Sequence, residues 1–395
     1  MNAGLWNRKY IFLIVENVLI CFSFYMITTI LTTYLVGIGI SMSWAGTVVG
    51  LFSITSLIIR PFTGYITDNY NKKYLLVYGC FFVAIAIAGY VLTSSLSIIV
   101  VFRIIHGIAF GINSTAIVAL ASEYIPGDKF NEGIGYLGLG QIIASAVGPG
   151  FGVWIMNRYG IQVSFVISAM FSVASVVCML LFQYEKTVRT QTKRKKIRLD
   201  EILSFNVMDY TFIGGVYSFM NGAIASFLVL YAAEKNIMDV SVYFTVCAVF
   251  LFLARPISGK IVDRFGIRYV VYPGIILSIV SLVMLANADT LMGIICSAIA
   301  RSLAQGSVQP SVQAACIKRV GLEKSGVATS TYYLGGDVGQ GLGPIIGGFI
   351  VGSLGYEGVF YSCIMLMVIA LFVFAVRERQ GKIGRETAQQ GESKA

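Results

Sequence analysis

The sequence predicts an all-α membrane protein, with twelve transmembrane helices in two pseudo-symmetric six-helix bundles. Three observations lead there. First, 57% of the 395 residues are hydrophobic and only 12% are charged, whereas water-soluble chains carry about 45–50% apolar and about 25% charged residues. Mean hydropathy is +0.80. So little polar surface cannot cover a body facing water on every side; lipid solvates it instead. Second, apolar runs of ~20 residues, enough to cross a ~30 Å hydrocarbon core as helix, recur twelve times along the chain. Third, two separate pairs of segments repeat at the same spacing of 195 residues.

The apolar runs cover roughly 10–36, 43–66, 74–93, 97–120, 133–156, 162–184, 208–232, 240–262, 268–287, 290–314, 327–351 and 356–376. The first follows Arg8 and Lys9; it is too long for a signal-peptide core and no small-residue cleavage site follows, so it reads as a spanning helix. Connections of a few residues make successive helices antiparallel neighbours. The exception is 185–207, which contains QTKRKK. The expected organisation is an N-terminal bundle over 1–184, a basic cytoplasmic linker over 185–207, a C-terminal bundle over 208–378 and a disordered cytoplasmic tail over 379–395. The 42 glycines suit close helix packing in lipid.

Orientation follows the lysines and arginines, which gather on the cytoplasmic side. With an even number of spans, Lys72, Lys73, Lys129, the linker cluster, Lys260, Arg264, Arg268, Lys318, Arg319, Lys324 and the tail fall on one side. Only Arg158 and Lys235 fall on the other. Both termini are therefore expected to be cytoplasmic, in a multi-pass protein of the cell membrane.

Composition also excludes function classes. The formal charge of +10 sits in connections between apolar runs, not on an amphipathic face, so no nucleic-acid partner is expected. Seven cysteines lie in apolar runs without a CxxC pair, and the chain has one histidine; no metal site is expected. HExxH, GxSxG and Walker A patterns are lacking, so neither an enzyme nor an ATP-driven pump is expected, and no cofactor.

The repeats carry further information. RPFTGYITD at Arg60–Asp68 matches RPISGKIVD at Arg255–Asp263, and Gly148-Pro149 matches Gly343-Pro344. A duplicated six-helix unit is a common transporter form, with a central site between repeats that rock about it. At these residues the chain resembles the major facilitator superfamily, and within it the twelve-helix drug:proton antiporter branch, over about residues 10–378. The family loop pattern GxLaDrxGrkxxl appears as GYITDNYNKKYLL, keeping Gly64, Asp68, Lys72 and Lys73 but with Asn69 and Asn71 in place of Arg and Gly. The second copy, GKIVDRFGIRYVV, keeps Gly259, Asp263, Arg264, Gly266 and Arg268. A carboxylate at such a helix end is suited to pair with cations and a neighbouring helix N-terminus in one conformation and release them in another. Glu123 is a candidate further member of that switch; a plain tight turn with solvated charges is the alternative.

The family's fourth-helix arginine pattern RxxqG corresponds to Arg103, His106 and Gly107, with Arg301, Gln305 and Gly306 in the second half at altered spacing. A charge within a span costs roughly 2.5–3.5 kcal/mol on insertion scales and normally faces a polar interior. Arg103, His106, Phe110 and Asn113 share one helical face, and Arg301, Gln305, Gln309 and Gln313 nearly share another. The resemblance implies that helices one, four, seven and ten line the cavity, which places both stripes on it; snorkelling of Arg103 and Arg301 to the interface is the alternative. The antiporter pattern GxxxGPxxGG is partial in helix five (Gly148, Pro149, Gly152, with Ala144 and Val153 replacing glycines). It is complete in helix eleven (Gly339, Gly343, Pro344, Gly347, Gly348). The resemblance thereby implies antiport, hence export.

Coupling to protons requires a carboxyl group within the membrane. Glu16 in helix one and Asp337 in helix eleven are the candidates, with Glu16 preferred because helix one is expected to line the cavity. Asn221 and aromatic side chains on the lining helices complete the expected site. The function expected is proton-coupled export of small organic compounds or drugs by alternating access, by a monomer whose partners are substrate, protons and membrane lipid. Uptake symport of a small organic anion or nutrient, with Arg103 and Arg301 clamping a carboxylate or phosphate, is the competing reading. A membrane sensor is the remote one.

Overall fold

A computed structural model describes residues 4–40, 42–184, 202–240 and 242–392; the QTKRKK stretch of the expected linker lies outside the described residues. The first half contains α1 (Arg8–Gly37), α2 (Met42–Asn69), α3 (Lys72–Leu92), α4 (Leu96–Ser122), α5 (Phe130–Tyr159) and α6 (Ile161–Leu181). The second begins with α7 (Met208–Glu234), α8 (Val242–Phe265), α9 (Arg268–Ala286) and α10 (Leu291–Val320). The segment Ser325–Glu392 is helical except at Gly355, where φ is 70° and ψ is −175°. That break divides it into α11, before Gly355, and α12, after it.

Among the described residues eleven stretches are long and apolar enough to cross a membrane, and the last, Leu322–Arg379, has 58 residues. At 1.5 Å per residue it would extend ~87 Å if straight, against a ~30 Å core. Its ion pairs show that it turns back. Asp209, at the start of α7, takes both Arg319 at the end of α10 (2.7 Å) and Arg377 in α12 (3.6 Å). Lys235, at the far end of α7, takes Glu357, just past the break (3.2 Å). Residues 325–354 and 355–377 therefore run in opposite directions, so the described residues form twelve spanning helices. The helix continues to Glu392, through most of the segment expected as a disordered tail, where Arg, Glu, Ala and Gln are good helix formers.

Local chemistry explains the ends. Asn71 caps α3 by accepting from the backbone N–H of Lys73 (3.0 Å) and Tyr74 (3.4 Å). Thr290 caps α10 through Gly293 N–H. Prolines inside α2, α5, α8, α9, α10 and α11 free backbone carbonyls that neighbouring helices can satisfy in lipid.

Within the first half, α1 packs on α5 and α6, α3 on α4 and α6, and α2 on α4. In the second, α7 packs on α11 and α12, α8 on α10, and α9 on α10. The halves meet where α5 crosses α8 and α2 crosses α11. Large apolar side chains such as Ile58, Met170, Leu181, Phe349 and Phe372 are exposed on the outside, where lipid receives them. Between helices the contacts are small and polar: Ser23 bonds Ser168 O and the Ser172 hydroxyl (2.8 and 2.7 Å).

The expected antiporter motifs serve as packing surfaces. Gly148 and Gly152 of α5 lie against Tyr25 and Met26 of α1. In α11, a Cβ on Gly339 would sit 2.1 Å from Gly215 O, one on Gly343 2.4 Å from Phe219 O, and one on Gly347 2.5 Å from the Phe227 ring. Pro344 lies against Gly222, and Gly348 only grazes Phe227. Because the obstacle at Gly339 is backbone, Gly339→Ala is expected to destabilise the detergent-solubilised chain by about 1–3 kcal/mol, read as a lower melting temperature. Gly341→Ala, which would meet nothing within 4 Å, is the control expected to melt like the native chain. Equal melting of the two variants would contradict this packing.

Candidate functional site

A cavity of ≈ 600 Å³ lies between the halves, lined from α1, α2, α4, α5, α7, α8, α10 and α11. Its size suits a small organic molecule. The walls are aromatic (Phe24, Tyr25, Phe52, Phe110, Tyr332, Tyr333) and rich in amides (Asn17, Gln141, Asn221, Gln305, Gln309, Gln313, Gln340). Three charged residues line it: Arg60, Arg255 and Asp337.

Arg60 of α2 and Asp337 of α11 join across the halves, Nε to Oδ2 at 2.7 Å. The same guanidinium donates to the Ser114 hydroxyl (2.6 Å) and Gly111 O (3.3 Å) of α4, and stacks 4.7 Å above the Tyr333 ring. Arg255 is the repeat counterpart of Arg60, 195 residues on. Tyr333, Tyr332 and Tyr25 share the cavity wall with it, and its Nε has no hydrogen-bond partner.

The α10 stripe lies where expected. Gln305, Gln309 and Gln313 line the cavity; Gln305 donates to Gln309 (3.0 Å) and Gln313 to the Tyr333 hydroxyl (3.1 Å). Arg301 is buried just behind them, donating to Asn221 Oδ1 and to the Tyr243 hydroxyl (3.1 Å). Asn221 itself reaches the cavity.

Of the α4 stripe only Phe110 lines the cavity. Arg103, His106 and Asn113 do share a face, but that face turns into the first bundle, while Phe110 and Ser114 reach the cavity. The cause is packing: α4 lies against α2 and α3. Arg103 donates to Val49 O (2.9 Å) and stacks on Phe52. The His106 Nδ1 meets the Tyr90 hydroxyl (3.1 Å). Both arginines are buried, so neither snorkels to an interface.

Glu16, expected on the cavity, is likewise inside the first bundle and fully buried. Its Oε1 accepts from Asn113 Nδ2 (3.3 Å), Cys80 Sγ (3.3 Å) and the Ser175 hydroxyl (3.1 Å), while Oε2 has no partner. The next residue, Asn17, is the one that faces the cavity; one residue is ~100° of helix rotation. Asp337 thus holds the cavity position expected for Glu16. Arg60 and Arg255 also reach the cavity, a place the sequence reading does not assign to them. The signal was present in the sequence, since each opens a copy of the repeated RPxxGxxxD segment.

At the end of the molecule bearing the α2–α3, α4–α5, α8–α9 and α10–α11 connections, the switch residues form two matching clasps. Asp68 accepts from the N–H of Gly326 (2.8 Å) and Val327 (3.0 Å), at the start of α11. Asp263 accepts from the N–H of Asn131 (3.2 Å) and Glu132 (3.0 Å), at the start of α5, and from Asn131 Nδ2 (2.6 Å). Asn131 and Glu132 lie 195 residues before Gly326 and Val327. Gly64 and Gly259 permit the approach: a Cβ would fall 2.7 Å from Val327 Cα and 2.5 Å from Glu132 Cα.

Glu123 pairs with Lys72 (2.5 Å), within the first half. Lys318 reaches Asp263 (3.4 Å) and Lys260 reaches Glu132 (3.5 Å). Gly266 supplies a turn with φ 95°. Lys73 instead binds Leu180 O, while Arg264 and Arg268 stack on Phe265 and Tyr269.

The family profile of the Major Facilitator Superfamily matches residues 14–336 and 210–394. Among curated proteins, the chain is 22% identical over 335 residues to the multi-drug resistance efflux pump PmrA of Streptococcus pneumoniae, covering 81% of this chain and 82% of that one. It is 24% identical over 330 residues to the multidrug resistance protein MdtG of Citrobacter koseri, covering 80% of each. Among solved structures, the human organic anion transporter MFSD10 superposes with TM-score 0.80 at 14% identity, over 93% of this chain and 98% of that one. FucP in its outward conformation superposes with TM-score 0.74 at 16% identity, over 92% and 99%. The chain belongs to the Major Facilitator Superfamily.

Proposed function

We propose that this transporter exports small organic compounds in exchange for protons by alternating access, as a monomer in the cell membrane with both termini cytoplasmic. The observation that carries the reading is Asp337: it is the carboxylate lining the cavity, and it is bound to Arg60 on the opposite half. A proton arriving at Asp337 removes the negative charge, leaves Arg60 without its partner and loosens the link between α2 and α11. The clasps at Asp68 and Asp263 join the two halves at the basic end, which supports reading this arrangement as the one that releases substrate to, and takes protons from, the outside. The names of PmrA and MdtG as efflux and resistance proteins support export, and the asymmetry of lysine and arginine supports the orientation.

Uptake symport of a small organic anion is the second reading, favoured by the presence of two cations against one carboxylate on the cavity wall. In proteoliposomes carrying an imposed pH gradient, exchange requires dye and protons to move in opposite directions; movement together would establish symport. Asp337→Asn is expected to reduce gradient-driven movement to that of protein-free vesicles. Glu16→Gln, close in shape and remote from the cavity, is expected to keep most of the native rate. Loss of transport in Glu16→Gln with Asp337→Asn unaffected would reverse the two assignments.

A further inference from the structure

One of the differences between the two halves of the cavity concerns charge. Asp337, the partner of Arg60, lies 195 residues beyond Ile142, so the corresponding partner of Arg255 is an isoleucine. Ile142 and Arg255 both line the cavity. Among the described residues no carboxylate forms an ion pair with Arg255, and its Nε is buried without a hydrogen-bond partner. The guanidinium is nevertheless held in a made place. A Cβ at Gly138 would lie 1.6 Å from Nη1, so the side chain rests where only glycine leaves room, and Gly135 lies against the Arg255 carbonyl. Tyr332, Tyr333 and Tyr25 line the same cavity. An arginine within a membrane span without a counter-ion is costly unless an anion completes it, and its planar fork matches a carboxylate.

We propose that Arg255 seats the anionic group of the transported compound, and that the substrates are amphoteric, with a carboxylate at Arg255 and a cationic group at Asp337. The second half of the assignment follows from charge. A purely anionic compound would favour a protonated Asp337 and travel with the proton. A cationic group competes with Arg60 and with the proton for Asp337, which is what exchange requires. This inference rests on the export reading and names its substrate class.

The test uses tetramethylrhodamine, whose free carboxylate accompanies a cationic ring system, and its methyl ester, which keeps only the cation. Binding of each to the purified full chain is measured by fluorescence anisotropy, for the native protein, Arg255→Gln and Arg255→Lys. The native chain is expected to prefer the free acid by about tenfold or more, the range of a charge-assisted pair. Arg255→Gln is expected to lose that preference and Arg255→Lys to recover part of it. Equal binding of acid and ester to the native chain, failure of the acid to bind, or a preference that survives in Arg255→Gln would overturn the assignment. If the acid binds selectively through Arg255 but a pH gradient moves neither dye, the site stands and the export reading fails.

Discussion

Two aspartates on two helix N-termini hold the closed end of this molecule together. Each carboxylate accepts two backbone N–H groups from the first turn of a helix in the opposite half, Asp68 on α11 and Asp263 on α5. The first N–H groups of any helix lack intrahelical partners and carry the positive end of its dipole, so a carboxylate there is worth about 0.3–1 kcal/mol exposed and up to ~2 kcal/mol when partly buried. Two such contacts favour this arrangement by an amount of the order of a few kcal/mol at most. Gly64 and Gly259 are part of the same constraint, since any side chain there would hold the crossing helices apart.

The cavity depends on that closure. Arg60 and Asp337 lie ~12–17 Å along their helices from the clasps, at 1.5 Å per residue, on the two helices that Asp68 joins. The ion pair and the clasp are thus two contacts of one α2–α11 crossing, and Ser330 adds a third by donating to Arg60 O. On the other crossing, α5 against α8, the clasp is kept but the ion pair is not. The near-twofold design therefore gives one half-interface with an ion pair on the cavity wall and another whose arginine faces the cavity without one.

The helices, the duplication and the clasp residues were legible because each depends on spacing along the chain. Apolar runs near twenty residues, a repeat at 195 and aspartates at helix ends survive any rotation of a helix about its axis. What the chain does not encode so openly is that rotation. Glu16 and Asn17 are neighbours in sequence and ~100° apart in space, and only packing against α3, α4 and α6 decides which one meets the cavity. The same holds for α4, where Phe110 and Ser114 face the cavity while Arg103, His106 and Asn113 are turned into the bundle. On α10 the glutamines at steps of four, Gln305, Gln309 and Gln313, do line the cavity, with Arg301 behind them. Arg60 and Arg255 were visible as intramembrane charges, yet their different surroundings, one paired and one not, come from residues distant in sequence.

The separation of the two halves at the closed end tests the clasps most directly. Spin labels at Tyr70, beside the α2–α3 connection, and Leu322, beside the start of α11, are both exposed and report it by pulsed electron resonance. The native chain should give one short, narrow distance distribution. Removing both carboxylates, with Asp68→Asn and Asp263→Asn together, should shift a substantial share of molecules to longer distances. A distribution unchanged by the double substitution would show that something else holds this end shut, and would contradict the account.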